Sequence, residues 1–288
     1  MKAVFSLLLV FAFCLSLCGC RNNLVPYSGP EEYASHTEQR TTAVPEATFS
    51  ATEEPTASAI TTSSKTVLEG KKIVYDGDSI CAAHANNGGG YAKLIADQTG
   101  SIYENFAVGG AFLRSTTDPD RHSVVDNLSN LPLDGDLYCF EGGINDFWTN
   151  AVLGTYSKED YGSELDTNTV CGALETIFRY ALDNFTGKPI CFIIVHKIQS
   201  TSYNTNANGD TFEDYRNAMI GICEKYSIPY YDAFAESGLN GWNEAQNDAF
   251  LTANSAGEPD GTHPNAEGYM RYYVPQLIAL FERIMPVE

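Results

Sequence analysis

Four short stretches carry side chains and backbone features that chemistry would use. Gly77-Asp78-Ser79-Ile80 places a serine hydroxyl on a tight turn after an apolar run, beside the amide groups that open a helix. Asn105-Phe106-Ala107-Val108-Gly109-Gly110 ends in paired glycines, whose missing Cβ lets a backbone N–H approach a ligand closely. Gly142-Gly143-Ile144-Asn145-Asp146 offers a side-chain amide. In Asp260-Gly261-Thr262-His263-Pro264 the proline biases His263 toward an extended backbone, so the imidazole points off the loop. The Asp260 carboxylate then reaches one ring nitrogen and leaves the other for a nucleophile. Each stretch alone reads as a turn, a helix cap or a surface loop. Together they contain a nucleophile, a base, an orienting acid and amide donors, the parts that acyl transfer needs.

Something must bring these stretches together, and the pattern between them is a strand–helix alternation. Apolar runs predict strands at Lys72–Tyr75, Ile102–Phe106, Asp136–Phe140, Ile190–Val195 and Ile228–Tyr231. Helical spacing predicts helices at Tyr91–Thr99, Thr167–Phe185 and Phe212–Tyr226, with a last helix starting near Pro264, a residue suited to a first helical position, and kinked or split at Pro275. The alternation predicts one α/β domain, a flavodoxin-like three-layer α/β/α sandwich with a mostly five-stranded parallel sheet. In such sheets ligands bind beyond the carboxyl ends of the strands. The first three stretches follow strands, and the fourth precedes the last helix.

In this order and context the four stretches resemble the signature blocks of the SGNH (GDSL-type) esterases, over Ile73 to about Tyr269. The resemblance implies Ser79 as nucleophile, His263 as general base, and Asp260 as the group fixing the histidine tautomer. It implies an oxyanion hole made by the Ser79 N–H, the Gly110 N–H and the Asn145 side-chain amide. Gly110 is chosen over Gly109 because the family's glycine lies five residues after the asparagine of its block, here Asn105. Asp78 and Asp146 are expected to hold loops. The reaction so implied needs no metal and no organic cofactor.

Other reactive side chains are read as structural. His84 and His196 lie near the loops that gather at the site, but neither belongs to a pair with metal-ligand spacing. Cys81, on the same turn as Ser79, would need an electropositive pocket to act as a thiolate. Cys139 and Cys191 sit in strand-like runs and behave as small hydrophobes; with Cys81, Cys171 and Cys223 they make five, an odd, irregular set that supports no disulfide framework. Trp148, Tyr203 and Trp242 sit in or beside polar stretches where aromatic rings can stack on sugars. Lys197–Asp210, rich in Asn, Ser and Thr, has the length of a lid.

Seventeen Lys+Arg against 37 Asp+Glu give a formal net charge of −20. That balance argues against nucleic acid as a partner. Residues 1–19 read as a signal peptide, with Lys2 before an apolar run too short to span a membrane. The run ends Leu17-Cys18-Gly19-Cys20, which resembles the lipobox of bacterial lipoproteins and implies lipidation of Cys20. Residues 20–66 read as the lipidated cysteine and a Ser/Thr/Pro-rich linker too poor in apolar residues to order itself. The resemblance implies that residues 67–288 form the hydrolase domain. A monomeric, lipid-anchored protein on the extracellular side of a bacterial membrane is expected.

Two ester-hydrolysing readings share the same residues: deacetylation of an extracellular polysaccharide, and hydrolysis of lipid acyl esters or thioesters. The surface tether and the polar, aromatic-bearing loops favour the first. A lipid substrate asks for an apolar patch, for which only Phe112-Leu113 and Ala151-Val152-Leu153 offer material. A glycan-binding module on an inactive esterase scaffold is a third reading. The presence of every catalytic position speaks against it.

Overall fold

The computed structural model describes residues 66–83, 90–199, 204–251 and 258–286. All of them belong to the compact unit Thr61–Glu288. The expected signal peptide, Cys20, nearly all of the linker, His84 and Tyr203 lie outside the described residues.

Five parallel strands form one sheet in the order β2-β1-β3-β4-β5. β1 (Lys72–Asp76), β3 (Leu137–Glu141) and β4 (Ile190–Ile194) are buried almost throughout, as continuous apolar runs in a sheet covered on both faces must be. The edge strands β2 (Ile102–Asn105) and β5 (Tyr230–Asp232) are shorter, and β2 is largely exposed. Two groups of helices cover the sheet. α2 (Gly90–Thr99), α9 (Ala266–Tyr272) and α10 (Val274–Ile284) pack together; α3 (Val124–Asn127), α5 (Val170–Asn184) and α6 (Phe212–Tyr226) form the second group. This is the expected three-layer fold. From β1 the chain runs one way to β2 and the other way to β3, which makes the β1–β3 edge the switch point where crevices form.

Local signals set the helix limits. Thr169 caps α5 by accepting from the Gly172 N–H, and its apolar face (Val170, Leu174, Ile177, Phe178, Ala181) is buried. Thr211 and Asp214 form a reciprocal capping box on α6. The last helix departs from expectation. Pro264 is not its first residue: Asn265 caps α9 through the Gly268 N–H, so the proline stands just outside. The split at Pro275 is real, because its ring would clash with the Arg271 carbonyl, and the chain breaks at Tyr273 before α10 begins. β5 also starts two residues later than expected. The Ile228 N–H still bonds the Cys223 carbonyl of α6, and Pro229 has no N–H to give.

β1 and β3 each run one residue past their last apolar side chain, to Asp76 and Glu141. Both acids are buried. Behind them lies an aromatic cluster in which Tyr91 stacks on Tyr273 and meets Tyr75 and Tyr269 edge-on. The Tyr269 hydroxyl donates to the Ile80 carbonyl at 2.8 Å, tying α9 to α1 (Ser79–Ala82). The helix after His263 is thereby fixed to the turn that carries Ser79.

Candidate active site

The turn after β1 is held almost entirely through its backbone amides. Asp76 accepts from the Gly77 N–H at 2.8 Å. Glu141 Oε2 accepts from the Asp78 and Cys81 N–H groups, both at 3.2 Å. Asp78 Oδ1 caps α1 through the Ile80 N–H at 3.0 Å. Ala82 donates to the Asp78 carbonyl, and Ala83 to that of Ser79. Among the described residues, only the Ser79 N–H of Gly77–Ala83 has no acceptor within the protein. It sits beside its own hydroxyl, where an oxyanion donor must be. Gly77 is required for a different reason. A Cβ there would lie 2.8 Å from the Glu141 carbonyl oxygen and 2.9 Å from Oε2, so any side chain would push β1 and β3 apart at the site.

The loop after β2 is laid against this turn. Asn105 donates to the Cys81 carbonyl at 2.9 Å and accepts from Ala107 N–H, while Val108 N–H bonds the Gly77 carbonyl at 3.0 Å. Ala111 N–H then bonds the Val108 carbonyl, closing a four-residue turn with Gly110 in third place at φ +80°. Type II turns demand a positive φ there, which explains the glycine. Asn145, on α4 (Ile144–Trp148), donates one amide hydrogen to the Ala111 carbonyl at 3.1 Å, leaving the second to point elsewhere. Asp146 is buried and accepts from the Leu113 and Arg114 N–H groups. Burial raises its pKa to about 6. Asp78 and Asp146 thus hold loops, as expected.

The fourth stretch closes the site. His263 Nε2 lies 2.9 Å from Ser79 Oγ, and His263 Nδ1 lies 2.7 Å from Asp260 Oδ2. Asp260 Oδ1 accepts from the backbone N–H groups of Thr262 (2.9 Å) and His263 (2.8 Å). Burial pushes the Asp260 carboxyl up, but these three hydrogen bonds outweigh it and hold its pKa below the usual value. The loop is pinned from behind: Gly261 donates to Asn247 Oδ1 on α8 (Glu244–Phe250) and accepts from the Gln199 N–H. A hydroxyl, an imidazole and a carboxylate in this line can move a proton off the serine and keep the resulting imidazolium paired.

A family model for the GDSL-like lipase/acylhydrolase family matches residues 77–271, from the serine turn through α9. The chain belongs to that family. Membership supports hydrolysis of esters. One solved structure is 25% identical, covering 76% of this chain and 99% of its own at a TM-score of 0.64. A protein from Lactobacillus plantarum is 22% identical, covering 75% and 98% at a TM-score of 0.62. A possible lipase from Chitinophaga pinensis is 18% identical, covering 74% and 98% at a TM-score of 0.54. The last two are likenesses of fold. No curated protein matches the chain.

The remaining candidates fall into place around this acylhydrolase site. Cys81 is buried in the elbow, and burial, reinforced by the nearby Glu141, drives its thiol pKa well above the ordinary value. It is no thiolate. His196 is buried behind the site with Nδ1 2.7 Å from the Tyr273 hydroxyl, and burial lowers its pKa to about 3. Cys81, Cys139, Cys171, Cys191 and Cys223 are all buried free thiols. Trp148 and Trp242 are exposed. Trp242 follows Gly241, whose would-be Cβ lies 2.5 Å from the Gly261 carbonyl, so the backbone before this tryptophan passes against the acid–base loop. Of the expected lid, residues 204–210 are laid against the end of α4 by bonds from Ala207 and Asn208 to Asn150. Sequence reasoning missed Glu141. Its signal was an acid closing an apolar run immediately before paired glycines.

Proposed function

We propose that this protein is a serine esterase of the extracellular side of a bacterial membrane, tethered by a lipid on Cys20, that removes acetyl groups from polysaccharide. The observation that carries the reading is the unbroken Ser79–His263–Asp260 line, at 2.9 and 2.7 Å. Ser79 Oγ attacks the ester carbonyl as its proton passes to His263 Nε2. The tetrahedral oxyanion is held by the Ser79 N–H, the Gly110 N–H and the second amide hydrogen of Asn145. Its collapse expels the sugar hydroxyl, which takes the proton from His263 and leaves an acetyl-enzyme. His263 then deprotonates water for the second attack, acetate leaves, and Ser79 recovers its proton.

The short acyl group is supported by where the apolar residues went. Phe112, Leu113 and Ala151, which a fatty chain would need at the surface, are buried, and Leu153 is half-buried; of those stretches only Val152 is exposed. Trp148 and Trp242, in contrast, offer rings that can stack on a glycan. Hydrolysis of p-nitrophenyl acetate, butyrate and octanoate tests this, alongside acetate release from acetylated xylan. Each methylene forced against a packed wall costs typically about 1–3 kcal/mol, so kcat/KM should fall steeply from acetate and be negligible at octanoate. A lipid-binding groove gains up to about 0.8 kcal/mol per buried methylene and would give the opposite trend. Rising activity with chain length rejects the acetyl assignment. A neutral polysaccharide also predicts deacetylation insensitive to salt, since screening has no substrate charge to act on.

A further inference from the structure

Asp78 and Glu141 form a buried acid pair directly beneath Ser79. Both are completely inaccessible, and their carboxyl groups are within hydrogen-bonding reach of one another. Glu141 Oε2 takes two backbone N–H groups and Asp78 Oδ1 takes one. The other oxygens, Glu141 Oε1 and Asp78 Oδ2, are buried without a donor from the rest of the protein. The groups facing the pair are Cys81 on α1, Tyr91 on α2, Cys139 on β3, Tyr269 on α9 and Tyr273 at the break before α10; Asp76 adds its field through Cys81, and His263 faces Asp78. None of these is a lysine or arginine.

Two adjacent buried carboxylates with no lysine or arginine beside them cannot both stay ionised, because each lost hydration is uncompensated and the charges repel. One proton resolves the conflict: it removes a charge and supplies the donor that the two orphaned oxygens lack. We propose that Asp78 and Glu141 share a single proton, and that this bond makes Glu141 the positioning residue for Ser79. The role rests on the reading of Ser79 as nucleophile. Glu141 grips the amides of residues 78 and 81, on either side of Ser79. Losing the shared proton would drive the carboxyls apart, loosen those two bonds and move Oγ relative to His263 Nε2. A displacement of about 1 Å in a reacting group can cost about 10²-fold in rate. Burial, and next the Asp78 charge, hold the Glu141 pKa well above the usual carboxylate value, so the pair keeps its proton to higher pH than an ordinary carboxyl would.

The charge count supplies the test. The native pair holds one negative charge and one titrating proton; E141Q and D78N each hold one negative charge and no such proton. The kcat of the intact protein on p-nitrophenyl acetate is measured against pH for the wild type, E141Q, D78N and E141A. E141A should lose about 10²-fold in kcat with KM little changed. E141Q should recover most of that loss, and both isosteres should lack the fall in kcat expected of the wild type as rising pH takes the proton from the pair. Persistence of that fall in both isosteres, or wild-type kcat in E141A, overturns the proposal. Infrared difference spectra between wild type and E141Q at neutral pH read the proton without relying on activity. A protonated-carboxyl stretch that vanishes in E141Q is expected, and its absence from the wild type overturns the shared proton. If the stretch is present while Ser79→Ala remains an active esterase, the nucleophile reading fails and the shared proton stands. Should E141A fail to fold, the two isosteres and the spectra still decide.

Discussion

Replacing Asp260 by asparagine changes one atom, and the structure says which way the new amide must face. Asp260 Oδ1 receives two backbone N–H groups, from Thr262 and His263, while Oδ2 receives His263 Nδ1–H. An asparagine that keeps its oxygen on the two backbone donors turns its NH₂ toward Nδ1. Nδ1 must then accept, the ring proton moves to Nε2, and Nε2–H points at Ser79 Oγ, where a base is needed. The flipped amide would preserve the productive tautomer but set its NH₂ against two backbone donors. Each unpaired buried donor costs about 1–3 kcal/mol, so the flip costs about 2–6 kcal/mol. The productive tautomer is then populated at about 1 part in 30 to 1 part in 10⁴, and the imidazolium loses its carboxylate partner as well. We expect kcat on p-nitrophenyl acetate to fall by about 10²–10⁴, with KM nearly unchanged because Asp260 sits behind His263 and away from the acyl group. The histidine ¹⁵N shifts of the variant should report protonation at Nε2. A kcat within tenfold of wild type, or protonation still at Nδ1, would refute the tautomer argument.

Asn145→Ala removes both the proposed donor to the oxyanion and the bond to the Ala111 carbonyl that steadies the Gly110 turn; kcat should fall by at least about 10²–10³ in steady-state assays, and an unchanged kcat would remove Asn145 from the oxyanion hole. His196 is buried and neutral, with its pKa at about 3 against 6.5 when unfolded. Between those values the unfolded chain binds the extra proton, so acidification through that window destabilises the fold, by about 2–3 kcal/mol at pH 4.5. Denaturant titrations at pH 7 and 4.5 should show that loss in the wild type and not in His196→Gln; equal slopes in both would contradict it. Cys20→Ser should abolish partitioning of the protein into detergent or leave its signal uncleaved, and normal cleavage with unchanged membrane retention would count against the lipid anchor.

The fold was legible because its central strands are apolar on both faces and its helices carry periodic stripes, signals that arise within a dozen residues. Ser79, Asn145, Asp260 and His263 were legible as members of four ordered local stretches that resemble a family's signature blocks, and the structure brings Ser79, His263 and Asp260 into one line. The limits of the strands were less legible, because a run was ended at its last apolar residue whereas β1 and β3 continue into buried acids. The start of the last helix was misplaced because Pro264 and Asn265 both look like helix openers, and only the Gly268 N–H bonded to Asn265 decides between them. Glu141 stands out locally as an acid closing an apolar run, but its role could not be read there. Its partners lie 60 and 63 positions away, and nothing in its neighbours says that a turn from another strand will rest on it.

The missed residue belongs to a wider arrangement. At the carboxyl edge of a parallel sheet the ladder stops, and the loops beyond it carry N–H groups with no strand to accept them. Here carboxylates take that role: Asp76 accepts from Gly77, Asp78 from Ile80, Glu141 from Asp78 and Cys81, Asp146 from Leu113 and Arg114, and Asp260 from Thr262 and His263. A carboxylate suits the task because each oxygen accepts more than once, and bonds to an ionised acceptor are roughly twice as strong as neutral ones. Repeated across three strand ends and the acid–base loop, it concentrates negative charge where the proposed chemistry also develops negative charge on an oxyanion. The two demands conflict unless some of that charge is removed or aimed away. Asp260 resolves it by facing His263, whose imidazolium is the positive partner. The Asp78–Glu141 pair resolves it by sharing a proton, so the scaffold keeps its acceptors beneath Ser79 without placing a second bare charge there.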